Sequence, residues 1–213
     1  VAGQTVRIAQ ETAYPWEGEV VIAIEPEKAA LWTLALRIPA WCRAARLCVN
    51  GKAIAVAPIT RKGYARIKRE WHPGDRIDLV LPMPVERIEA HPAVRQDCGR
   101  VALQRGPVVY CIEEADNGSD LNDVLLRPDP EFTVRRGHSG LLAGVPLIRA
   151  KAWRRDPGSW QGKLYQQQGS RRIPCSITAI PYFMWANRAP GEMLVWIRQG
   201  EPRQSSLRGG PRR

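Results

Sequence analysis

Histidine is scarce in this chain. There are three in 213 residues, His72, His91 and His138, and none stands at a ligand-like spacing from a cysteine. That argues against a zinc site built from this chain alone. The five cysteines, Cys42, Cys48, Cys98, Cys111 and Cys175, are odd in number, scattered and without a CxxC pair. They spell neither a disulfide framework nor a thioredoxin-like motif, and thiols left free fit a reducing cytoplasm. No apolar run approaches the roughly 18 residues needed to cross a bilayer. GxSxG, P-loop, GxGxxG and HExxH are all missing, which removes the motif-readable serine hydrolases, nucleotide binders and zincins. Ser139 beside His138 is an adjacency, not a triad. The stretch from Val1 has no basic-then-apolar leader pattern; a leader, if the protein is made with one, lies upstream.

What is present is globular. Apolar residues make up 44% and charged residues 25%, with 18 Gly and 18 Pro, enough to bury a core without staples. The net charge is +11. The last fourteen residues, GEPRQSSLRGGPRR, contribute four Arg and one Glu, hence +3 of it. The rest is dispersed in short groups such as Arg66/Lys68/Arg69, Arg135/Arg136 and Lys151/Arg154/Arg155. No basic helix, zinc finger or aromatic RNA-binding stretch accompanies them, so nucleic acid is not the expected partner.

Period-two patterning dominates. Thr5–Gln10 and Val20–Ile24 alternate, and Trp32, Leu34, Leu36 and Ile38 share one face of a run that Pro39 ends. Asn50-Gly51 between two apolar runs reads as a type I′ hairpin, because both central residues need positive φ. Gly63–Trp71 puts Ala65, Ile67 and Trp71 opposite Arg66, Lys68 and Glu70. A Pro-Gly turn (HPGD, 72–75) then leads into Arg76–Leu81. About seven short strands with no three-turn amphipathic helix between them predict an antiparallel sandwich over the first 85 residues.

Beyond the polar stretch 88–97, Arg100–Ile112 reads as one long strand with a bulge or edge position at Gly106-Pro107. Leu147–Trp153, Lys163–Gln166, Cys175–Trp185 and Met193–Arg198 read as further strands. The expected architecture is all-β, with two antiparallel sandwich-like domains in tandem over residues 1–90 and 91–199. Residues 200–213 form an Arg-rich disordered tail.

Three constellations could carry chemistry. Glu113, Glu114, Asp116, Asp120 and Asp123 include pairs that could serve glycosidase acid/base work, although a polar loop with Asx turns gives the same letters. Eight tryptophans could stack on sugars. Trp32, Trp71 and Trp196 fall in apolar alternation and read as core, leaving Trp16 and Trp160 as the surface aromatic candidates. Cys48 and Cys111, in strand patterns, read as buried inert thiols.

Several phrases, in order, carry a resemblance: QETAYPWEG (10–18), TLALRIPAWC (33–42), VNG (49–51), WHPGD (71–75), LPMP (81–84), GRVALQRGPVVYC (99–111) and IPYFMWANR (180–188). Over residues 4–198 the chain resembles the C-terminal region of glycoside hydrolase family 127, the β-L-arabinofuranosidases. The resemblance implies a parent with a large (α/α)6 barrel followed by two β-sandwich domains. The barrel holds a zinc bound by cysteines and a glutamate, and one of those cysteines is the nucleophile of a retaining mechanism. The Cys-Cys pair of that site has no counterpart here, nor has Glu-x-Cys, so no catalytic or metal residue is carried over.

The resemblance thus implies the non-catalytic portion of a glycoside hydrolase, inactive alone, supporting the barrel and contributing to a homodimer. No cofactor is expected in this chain, with zinc in the missing barrel. The implied partners are that barrel, a second copy and, for the parent, an arabinose-containing glycan, with no membrane. The alternatives are a carbohydrate-binding module, which requires two or three exposed, coplanar aromatics on one face, and a basic polyanion binder.

Overall fold

A computed structural model of the chain describes residues 1, 3–160, 162–167 and 170–200. The tail expected to be disordered lies, from 201 on, outside the described residues. The chain divides into two compact units: Val1–Val85 with Arg105–Val108, and Glu86–Gln104 with Val109–Arg213.

The first unit contains β1 (Val6–Thr12), β2 (Glu19–Pro26), β3 (Ala30–Arg37), β4 (Arg46–Val49), β5 (Lys52–Ile54), a single helical turn α1 (Val56–Ile59), β6 (Thr60–Arg61), β7 (Tyr64–Trp71) and β8 (Asp75–Val80). They form two antiparallel sheets, ordered β1-β2-β8-β4-β5 and β3-β7-β6. The alternation read from sequence becomes an inward face on each. Ile22, Ile24, Leu47, Ile77 and Leu79 of the larger sheet share one core with Leu36, Ile67 and Trp71 of the smaller. Each fully buried aliphatic there contributes about 1.5–3 kcal/mol.

Trp71 is completely buried. Its indole Nε1 donates to the Trp32 carbonyl at 3.3 Å, and the two rings lie 5.4 Å apart. Trp32, read as core, is itself only half-buried. Asn50 and Gly51 take φ of 50° and 75°, the hairpin signs the dipeptide announced. β1 departs from its pattern. As an edge strand it pairs with β2 alone, and six of its seven residues are exposed on either face.

The second unit is built from β9 (Val85–Ile88), β10 (Arg100–Arg105), β11 (Val108–Glu113), the turn α2 (Glu114–Asn117), β12 (Leu125–Leu126), β13 (Thr133–Arg136), β14 (Pro146–Arg155), β15 (Arg172–Pro181), β16 (Met193–Leu194) and β17 (Ile197–Gln199). All nine strands belong to one sheet, ordered β16-β11-β15-β14-β12-β17-β10-β9, with β13 on β14. β10 also pairs with β11, so the ring β11-β15-β14-β12-β17-β10 closes on itself. The fold is all-β, but here the second sandwich is better described as a barrel-like sheet. Leu103, Tyr110, Ile112, Leu126, Ile148 and Ile177 share its inner face, each under 2% exposed; Ile180, equally buried, lies on the other face with Cys111.

Two local expectations are corrected. Arg100–Ile112 is not one bulged strand: Gly106, at φ 57°, and Pro107 turn it into the β10–β11 hairpin. Positive φ followed by a proline φ near −65° is the sign order of a type II′ turn. Lys163–Gln166 forms no strand. Leu164 and Tyr165 are 85% and 89% exposed, with no ladder to hold their alternation.

Candidate functional site

The first-choice aromatics sit in separate units, Trp16 in the first and Trp160 in the second. Each is half-buried. Trp16 closes a turn by donating its backbone N–H to the Ala13 carbonyl at 2.9 Å. Trp160 follows a short 3-10 turn, and the Arg155 guanidinium lies 5.9 Å from its ring centre.

A different set of aromatics is presented to solvent. Cys175–Trp185 reads as one strand in sequence, yet β15 ends at Pro181, whose missing N–H cannot extend a ladder. Tyr182–Met184 form a 3-10 turn, followed by Trp185 and by Ala186 at φ 61°. The turn leaves Tyr182 44%, Phe183 63% and Trp185 42% exposed. The Tyr182 and Trp185 rings are near-parallel, 12° apart in plane with centres at 6.2 Å.

A charged clamp fixes this turn. Glu113, at the end of β11, is only 4% exposed. Its Oε1 accepts the Ala186 N–H at 2.9 Å, and its Oε2 pairs with the Arg188 guanidinium. Arg188 also donates to both oxygens of Asp116, from Nη1 to Oδ1 at 2.9 Å. Next to it, Asn117 locks α2 to β15. Its Nδ2 donates to the Glu113 and Thr178 carbonyls at 2.8 and 2.9 Å, and its Oδ1 accepts the Thr178 N–H at 2.8 Å. The Arg188 pKa is raised, chiefly by the Asp116 hydrogen bond and then by Glu113, against burial.

Of the five carboxylates singled out in sequence, the structure joins Glu113 and Asp116 on one guanidinium. Glu114 accepts the Glu192 N–H at 2.9 Å, Asp123 pairs with Arg155, and Asp120 opens a 3-10 turn in a left-handed conformation. Glu113, Asp116 and Asp123 are thus engaged as ion-pair partners of guanidinium groups.

The cysteines do not form a centre. Cys111 is fully buried. Burial, followed by the charge of Glu113, pushes its thiol up to about 12, the opposite of what a nucleophile or zinc ligand needs. Burial also raises the Cys175 thiol. Cys48, read as buried, is half-buried, and Cys98 is exposed. Among the described residues no three His, Cys, Asp or Glu side chains converge as a metal would require. The described donors therefore do not assemble the cysteine-and-glutamate set that the resemblance implies for a zinc.

The aromatic turn was present in sequence as the IPYFMWANR phrase, but its exposure was not legible. Pro181 was the available signal that the strand stops before the aromatics.

Residues 1–83 match the family model described as β-L-arabinofuranosidase, GH127 middle domain, and residues 85–198 match the glycoside hydrolase family 127 C-terminal domain. A non-reducing end β-L-arabinofuranosidase of Bifidobacterium longum is 32% identical over 203 residues, which is 90% of this chain and 30% of that protein. The crystal structure of a GH127 β-L-arabinofuranosidase from Geobacillus stearothermophilus T6 superposes with a TM-score of 0.91 at 46% identity, covering 94% of this chain and 31% of the other. A further GH127 β-arabinofuranosidase structure gives 0.80 at 31% identity, covering 92% and 32%. The chain thus spans about a third of the length of these relatives.

Proposed function

Since the chain belongs to glycoside hydrolase family 127, of which it holds the middle and C-terminal domains, we propose that it is the non-catalytic β portion of an enzyme resembling β-L-arabinofuranosidases. The observation that carries this reading is coverage. Two family domains account for residues 1–83 and 85–198, while the relatives are about three times as long. The catalytic barrel, its zinc and its nucleophilic cysteine belong to the remainder of the parent.

The role of this portion is then to cover barrel surface and hold its geometry, with a second copy as a further partner. The arabinose-containing glycan is the substrate of the whole enzyme. Chemistry within the chain supports the division of labour: burial raises the Cys111 and Cys175 thiols, and the buried Glu113 carboxylate is paired with Arg188.

The test is hydrolysis of para-nitrophenyl β-L-arabinofuranoside by the purified 213-residue chain, with and without zinc and thiol. No turnover is expected under any condition. Zinc-dependent turnover lost on replacing one of the five cysteines overturns the proposal.

A further inference from the structure

Beside the aromatic turn lies a groove of about 370 Å³, lined by Gln96, Asp97, Arg100, Asn122, Tyr182 and Trp196 among others. We infer that this groove is a binding site for a short neutral saccharide, formed by Tyr182 as the stacking surface, by the half-buried Trp196 in its wall and by Gln96, Asp97, Arg100 and Asn122 as hydroxyl partners. It goes beyond the supporting role, because every one of these residues lies within the second unit.

Five observations lead there. A sugar offers an apolar C–H face and a rim of hydroxyls, so its site needs an aromatic surface ringed by planar donors and acceptors. Tyr182 supplies the first at 44% exposure. Trp185, which does not line the groove, stacks against Tyr182 and restricts its ring.

The polar groups are positioned yet unsaturated. Arg100 Nη1 donates to the Trp196 carbonyl at 3.0 Å. Its Nη1 and Nη2 reach Asn122 Oδ1 at 3.4 Å, which fixes both side chains and leaves the Asn122 Nδ2 hydrogens and further guanidinium N–H groups to donate. Among the described residues nothing engages the Asp97 carboxylate or the Gln96 amide.

Charge narrows the ligand class. Among the described residues Arg100 and Asp97 are the only ionic ones lining the groove and they cancel, which favours an uncharged ligand over a polyanion even in a chain of net charge +11. Size narrows it further, since the volume is at the low end of the roughly 300–1,000 Å³ of small-ligand sites. The Glu113–Arg188 clamp adds preorganisation: a turn already fixed loses little freedom on binding.

The experiment is saturation-transfer NMR on the full 213-residue chain with arabinotriose and, separately, xylotriose, followed by titration. Saturation transfer to at least one trisaccharide is expected. Tyr182→Ala should weaken binding by about tenfold and Asn122→Ala by about threefold. Leu164→Ala, at an 85% exposed position outside the groove, should change nothing. Circular dichroism checks that the variants stay folded. The assignment is overturned if neither sugar shows transfer at about 20 mM, far above a millimolar Kd. It is equally overturned if transfer persists undiminished in both groove variants. Groove variants that leave the sugar signal unchanged but weaken association with the separately produced barrel make the groove a docking face, again overturning it. Turnover of the nitrophenyl glycoside is a separate readout, so failure here does not bear on the non-catalytic reading.

Discussion

Asp75 and Glu113, one in each unit, are the buried charged residues among those described, and they do different work. Asp75 begins β8 and gathers the ends of two hairpins. Its Oδ1 accepts Asn50 Nδ2 at 2.6 Å, its Oδ2 accepts the His72 N–H at 2.9 Å, and Arg69 lies 3.6 Å away. It holds two turns, through the Asn50 side chain and the His72 N–H, with the Arg69 guanidinium beside them. Glu113 gathers the Ala186 N–H and Arg188 and so holds three exposed aromatics in place. A buried carboxylate is therefore not by itself a sign of function. What distinguishes the two sites is what the held turn presents to solvent: polar turn residues around Asp75, aromatic rings beside Glu113.

The largest expected effect breaks the second arrangement. Arg188→Met leaves Glu113 buried without its cation. Breaking a buried pair costs about 3–5 kcal/mol, and because the Arg188 side chain is 22% exposed the loss should be about 2–3 kcal/mol, read as a fall in urea midpoint. Its partner in the comparison is Asp75→Ala, which orphans the Asn50 amide and the His72 N–H and should cost about 2 kcal/mol. The sharper contrast is in what else changes. Arg188→Met should also loosen the aromatic turn, visible as faster amide exchange at Ala186, whereas Asp75→Ala should leave that amide untouched. Equal exchange in the two variants would remove the distinction.

A smaller effect concerns pH. Burial pushes the Asp75 carboxyl up, but the Asn50 and His72 hydrogen bonds and the Arg69 charge outweigh it and hold the carboxyl below its ordinary value. A depressed folded-state pKa gives stability that is present above the unfolded value of about 3.9 and lost as pH falls through the folded one. The melting temperature of the wild type should therefore drop more steeply below about pH 4 than that of Asp75→Asn. Parallel curves would mean that Asp75 contributes no such linkage.

Sequence legibility follows the same division. Asn50-Gly51, the β7 alternation and the apolar faces of β2 and β8 were readable because each is local: adjacent residues set the turn, and a period of two sets the face. Resemblance made the domain order legible, since it rests on phrases spread from residue 10 to residue 188. The clamp was not readable. Glu113 and Arg188 are brought together only when β11 pairs with β15, and nothing in either neighbourhood announces the other. The barrel-like closure was hidden for the same reason, because it depends on β10 pairing both with its hairpin partner β11 and with the distant β17. Gly106-Pro107 was misread because glycine and proline also mark bulges and edges; only the pairing of both flanks shows a hairpin. The exposed aromatics were hidden by their own apolarity, which continues the period of β15 past the proline that ends it.

The smallest expected effect tests whether the two sites differ in the backbone itself. Both rely on a left-handed residue, Gly51 at φ 75° in the first unit and Ala186 at φ 61° in the second. A Cβ at Gly51 would meet nothing within 4 Å, so Gly51→Ala isolates the conformational cost, about 1 kcal/mol. Ala186 already bears that cost, and Glu113 keeps it there by accepting its N–H. Ala186→Gly should relieve the strain while loosening the unfolded chain by a comparable amount. The two terms oppose, and the net change in stability should stay within about 0.5 kcal/mol. Combined with Glu113→Gln, which weakens the acceptor, the glycine should become the better residue by a measurable margin, because a neutral amide holds the turn less firmly than a carboxylate. If Ala186→Gly behaves the same in both backgrounds, the turn is fixed by its own sequence, and the clamp adds nothing to the backbone beneath the exposed rings.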